Sequence, residues 1–148
     1  MTDNIFVKKG MFTSLEEFAR FVFTLLKFGN VKEHHSANYW GEQYFSADLG
    51  NASLNIAAQD DSGFQDYDYW IAVEITHENP AEETELGQEF ARTLALNGIE
   101  AARFYSKEDW LYSKPVIRRI VYRKKQVSGA AGMDSVAPIE ETVEEVPG

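Results

Sequence analysis

Residues 38–50, NYWGEQYFSADLG, run into 51–63, NASLNIAAQDDSG, and then into 64–76, FQDYDYWIAVEIT. Each piece alternates apolar and polar residues with a period of two, and the first two end in turn sequences. This is the pattern of an antiparallel meander buried on one face. Phe45, Ala47 and Leu49 alternate with Tyr44, Ser46 and Asp48; Leu54, Ile56 and Ala58 alternate with Ser53, Asn55 and Gln59. In the third piece Tyr67, Tyr69, Ile71, Val73 and Ile75 are expected on one face, with Asp68, Trp70, Ala72, Glu74 and Thr76 on the other. Leu49-Gly50-Asn51 and Asp60-Asp61-Ser62-Gly63 supply the turns.

The period changes on both sides of this meander. Upstream, Ile5 to Lys8 reads as a short strand, and Thr13-Ser14-Leu15-Glu16 as a capping box with Thr13 as cap. Leu15, Phe18, Ala19, Val22, Leu25 and Leu26 form a helical stripe that Gly29-Asn30 would stop. Phe21, Phe23 and Phe28 widen the stripe, so this helix is expected to be covered on more than one side, by the sheet and by the C-terminal segment. Residues 31–35 read as a polar linker. Downstream, Asn79-Pro80-Ala81-Glu82 opens a second helix with the stripe Leu86, Phe90, Leu94 and Ala95, closed by Asn97-Gly98. A strand is expected from Ala101 to Tyr105. Between Pro115 and Lys125 a helical stripe competes with a run of Val, Ile and Tyr, and the β-branched composition favours a strand.

The expected fold is therefore α+β: a mainly antiparallel sheet in the order β-α-β-β-β-α-β-β, with two helices packed on one face. Residues 1–126 are expected to form a single compact domain and 127–148 a disordered acidic tail of Gly, Ala, Ser, Pro and Glu. A chain of 148 residues buries enough surface to need no crosslink, and it has no cysteine, hence no disulfide or thiolate chemistry. The first residues, MTDNIFVKKGMF, lack the continuous apolar core of a secretory signal. The longest apolar run, Phe21 to Leu26 with Thr24 inside it, falls short of the ~20 residues that cross a bilayer. A cytoplasmic protein without a membrane segment is expected.

Net charge is −10, from 24 acidic and 14 basic residues. Five of the acids lie beyond Gln126, where no Lys or Arg occurs, so the remaining 19 acids against 14 bases leave the body at −5. Such a field repels phosphates and attracts basic partners. Nucleic acid is disfavoured even though Arg118, Arg119, Arg123, Lys124 and Lys125 cluster, because the acidic tail lies close enough in sequence to fold back on them as a competitor. The plainer role for that run is an edge strand whose charges discourage pairing.

No enzymatic signature stands out. His34 and His35 are adjacent and point opposite ways in an extended segment, and His77 has no partner at ligand spacing, so no metal site is expected. Asp60, Asp61, Asp66 and Asp68 lack the ligand order of a calcium loop. Nucleophile-elbow, dinucleotide and Walker patterns are missing. No catalytic residue and no cofactor are assigned.

The polar side of the meander is the candidate surface. Tyr44, Asp48, Asp68, Trp70 and Glu74 fall on it by alternation, a large aromatic among carboxylates. Rings supply area and a cation–π face, and acids steer a Lys- or Arg-bearing partner. The expected function is a non-enzymatic binding protein for a basic macromolecule, of the kind that inhibits or confers immunity to a basic toxin. Trp70 has a competing structural role, as part of a second small core under the last strand or the segment around Trp110. Two alternative readings are a small enzyme or ligand-binding domain with a pocket near Tyr39, Tyr67 and His77 between the first helix and the sheet, and a homo-oligomer with Trp70 in its interface.

Overall fold

The structure, a computed structural model, describes residues 3–36, 40–59, 61–76, 80–106, 108–109, 115–125 and 139–148. In chain order the elements are β1 (Asp3–Val7), α1 (Leu15–Leu25), β2 (Gly29–His35), β3 (Trp40–Leu49), β4 (Ala52–Ala58), β5 (Tyr69–Ile75), α2 (Pro80–Leu96), β6 (Ala101–Phe104), β7 (Val116–Lys124) and β8 (Ile139–Pro147), with a 3₁₀ turn at Ser62–Phe64. The strands form one eight-stranded sheet in the order β2-β3-β4-β5-β1-β6-β7-β8, antiparallel throughout. β1 lies inside the sheet, so α1 carries the chain from the middle to the β2 edge, and α2 carries it from β5 across β1 to β6.

Both helices lie on one face, as the α+β reading requires. Phe18, Ala19, Val22 and Phe23 of α1 and Phe90, Ala91, Leu94 and Ala95 of α2 share one core with Ile5, Val7, Phe45, Leu54, Ile56, Ile71 and Val73. Phe28 and Phe90 meet edge to face at 5.6 Å between ring centres, joining the two helical layers. α1 is not wrapped on several sides as its sequence suggests. Phe21 stays 39% exposed, with Phe12 against it, and the C-terminal strand lies at the opposite edge of the sheet.

The cap of α1 sits one residue later than expected. Ser14 Oγ accepts the Glu17 amide at 3.1 Å, while Thr13 Oγ1 donates to the Glu17 carboxylate at 2.9 Å. At the other end the left-handed residue is Lys27, with φ 65°; Asn30, at φ 54°, lies inside β2 where the register with β3 shifts. The cap expected at Asn79 falls outside the described residues. α2 is tied to β5 by its buried Glu83, whose carboxylate accepts the Ile75 amide at 3.2 Å.

Two strands were hidden in the sequence. Residues 31–35, expected as a linker, belong together with the expected helix stop Gly29-Asn30 to edge strand β2, and 116–124 is a strand as the composition favoured. The tail expected to be disordered from residue 127 instead forms β8 over its last part, paired with β7 along nine residues; 126–138 lie outside the described residues. β7 is thus an interior strand rather than a charged edge.

A second, smaller core forms on the face away from the helices. Phe6, Phe64, Tyr67, Ala102, Ile117 and Val121 build it, with Trp70, Phe104 and Val146 packed around them. Phe6 and Phe64 stack at 3.8 Å. Tyr67 belongs here rather than beside Tyr69, which meets Phe18 on the helix side. The alternation assumed from Tyr67 onward starts only at Tyr69, where the strand begins.

Candidate functional site

Three in-register rows of side chains cross the helix-free face of β3, β4 and β5. Tyr44, Ala57 and Trp70 form one row, Ser46, Asn55 and Ala72 the next, and Asp48, Ser53 and Glu74 the last. The middle strand contributes Ala57, Asn55 and Ser53, and the central row is small at its sides too (Ser46 and Ala72), so the large aromatics and the carboxylates stand at the sides of the first and last rows.

The aromatic row is fixed by its neighbours. Tyr44 stacks on His34 of β2 at 4.5 Å and 12°, and His34 Nε2 shares a hydrogen bond with Ser46 Oγ at 2.7 Å. Trp70 Nε1 donates to Asn4 Oδ1 at 2.7 Å, and its ring packs against the second core. Both aromatics are half-buried, and Ala57 between them is fully buried although it faces away from the helices. This is the structural role weighed for Trp70, with Asn4 and the second core as its supports.

The acidic row is open. Asp48 and Glu74 are exposed on either side of half-buried Ser53, their backbones two strand spacings or about 10 Å apart. That separation leaves room for one Lys or Arg side chain between the two carboxylates. Along the strands the acids lie four residues from the aromatics, about 13 Å. Lys32 stands beside Ser46 and supplies a local counter-charge.

Asp68 is not brought into this constellation. It precedes β5, its amide donates to Val7 O at 2.9 Å, and its Oδ2 accepts the Lys9 amide at 2.9 Å. It closes the end of the β1–β5 pair, six residues and about 20 Å along the chain from Glu74. Of the alternative pocket near Tyr39, Tyr67 and His77, the structure places Tyr67 on the face opposite α1; Tyr39 and His77 fall outside the described residues, as does Trp110.

The densest polar chemistry lies elsewhere, at the β7 end. Arg119, only 6% exposed, donates to both Asp66 oxygens at 2.8 and 2.9 Å, to Gly63 O at 3.1 Å and to Glu144 of β8 at 3.0 Å. Its guanidinium lies over the Tyr67 ring at 5.1 Å. Arg119 holds the Asp66 carboxyl below its usual range. Glu100 gathers Arg123, Lys8 and the Tyr67 hydroxyl; burial alone would raise its carboxyl, but these donors hold it low. Burial of the Tyr67 phenol, with Glu100 as acceptor, pushes its pKa far up. Asp109 accepts from the Ser106 amide and hydroxyl and from the Arg118 amide, which outweigh its burial and lower its pKa. The sequence signal for this network was the basic run at 118–125 facing the acidic tail.

Among the described residues, no three His, Asp or Glu side chains converge to hold a metal ion, and no helix is long and apolar enough to cross a membrane. The chain matches no family model, no curated protein and no solved structure.

Proposed function

We propose that this is a non-enzymatic binding protein that holds a basic macromolecular partner on the helix-free face of β3–β5, as an inhibitor or immunity-type protein would. One observation carries the reading: exposed Asp48 and Glu74 flank Ser53 in register, on the same face as the preorganised Tyr44 and Trp70. A Lys or Arg placed between the carboxylates gains two charge-assisted contacts, while the aromatic end offers area whose rotamers are already fixed. Net charge of −10 adds long-range steering. Asp68 drops out of the contact set, and the acidic pair carries the recognition.

Affinity capture from the native host at low salt tests this, with wild type beside Asp48→Lys/Glu74→Lys. A second variant, Glu16→Lys/Glu85→Lys, makes the same change of net charge on the two helices. A basic protein retained by wild type and the helix variant, but associating on the order of tenfold more slowly with the face variant, supports the site. Equal loss in both variants reduces the effect to net charge and removes the face. Trp70→Ala is a poor probe, because it also removes the Asn4 bond and support for the second core.

A further inference from the structure

The last strand differs from the strand it pairs with in a way that suggests a different kind of site, independent of the β3–β5 face. β7 buries Ile117, Arg119, Val121 and Tyr122, whereas no residue of β8 is buried. Adjacent antiparallel strands need only about 2–5 linking residues, yet fourteen separate Lys124 from Ile139. The receiving side is built without β8. Arg119 is held by Asp66 and Gly63 O and lies over Phe64 and Tyr67, and Arg123 is held by Glu100. β8 adds to this frame from outside: Glu144 reaches Arg119 at 3.0 Å and Arg123 at 3.7 Å, Glu140 stands opposite Arg123, and Val146 opposite Ile117 joins the second core. On the helix side Glu141 pairs with Arg92.

We propose that the outer edge of β7 is a strand-accepting site for an extended acidic segment, and that residues 139–147 are its tethered occupant. Main-chain pairing supplies the generic attachment, and the two arginines and the Ile117 side supply the selectivity. The ligand is an extended segment of another protein with carboxylates four residues apart and an aliphatic residue two further on, the pattern of Glu140, Glu144 and Val146. The tether keeps its own strand at millimolar effective concentration, so a competitor must be locally concentrated or bind better.

The test uses the full-length chain with one protease site placed within 126–138, cut after folding. A labelled peptide of residues 139–148 is then added. Expected are exchange of the resident strand for the labelled peptide, saturable binding that weakens with salt, and an unchanged circular dichroism spectrum of the body. A peptide with Glu140→Lys and Glu144→Lys should bind on the order of tenfold or more weakly. A resident strand that never exchanges, or leaves only as the body unfolds, makes β8 a permanent part of the sheet and overturns the proposal. Equal binding of the lysine peptide overturns the acidic selectivity, and strand-swapped dimers of the uncut chain at micromolar concentration would make a second copy the occupant instead.

Discussion

At the scale of single residues, the buried pair beneath α2 shows how a local preference is reversed by a tertiary contact. Arg103 and Asp3 are bonded twice, at 2.8 and 3.0 Å, and Arg103 also reaches the Tyr122 hydroxyl at 3.4 Å. The Asp3 carboxylate lies directly under Gly87, and a Cβ at that position would collide with it. Glycine inside a helix ordinarily costs about 1 kcal/mol relative to alanine, so Gly87→Ala would normally stabilise. Here we expect the opposite, a loss of about 2–4 kcal/mol, because the pair must be pushed apart while Arg103 stays buried. Urea denaturation of Gly87→Ala beside wild type measures it, and a gain in stability would show that the pair shifts without cost.

At the scale of elements, legibility in the sequence tracked burial. β4 and β5 were readable because Leu54, Ile56, Ile71 and Val73 are fully buried at every second position, with Ser53, Asn55, Ala72 and Glu74 on the other face. β2 and β8 were not, since edge strands pair through the main chain and need no apolar face: GNVKEHH has one aliphatic residue, and IEETVEEVP is half glutamate and threonine on both sides. Much of the candidate face followed from the same alternation, which placed Tyr44, Asp48, Trp70 and Glu74 correctly on one side. It failed at Asp68, which precedes the start of β5 at Tyr69, next to the Tyr67 ring in the second core. The energetic counterpart concerns the last element. Deleting residues 139–148 removes the β7 pairing, the Glu144 and Glu141 ion pairs and the half-buried Ile139 and Val146 contacts but no fully buried side chain, so the expected loss is about 2–4 kcal/mol, with the rest of the sheet intact. Denaturant titration of the deletion checks it; global unfolding at 25 °C would mean that β8 is needed to complete the second core.

At the scale of the whole molecule, a subset of the acids holds the fold through bonded donors, and acidification tests that role. Asp66, Glu100 and Asp109 are held below their ordinary values in the folded chain. Their stabilisation is present above the unfolded values of roughly 3.9 to 4.3 and is lost as pH falls through the lower folded values. Asp3 runs the other way: burial raises its carboxyl even beside Arg103, so on acidification the folded state takes up that proton first and gains relative to the unfolded chain. Three carboxyls against one predict stability that changes little from pH 7 to about 5 and then falls below about pH 4. Denaturant midpoints across that range should show the decline becoming steeper in Asp3→Asn, which lacks the opposing gain, and shallower in Asp109→Asn, which lacks one of the three losses. A decline unchanged in both variants would assign acid unfolding to the general loss of carboxylate charge rather than to these bonded groups, and would leave the β7 network without the stabilising role its geometry gives it.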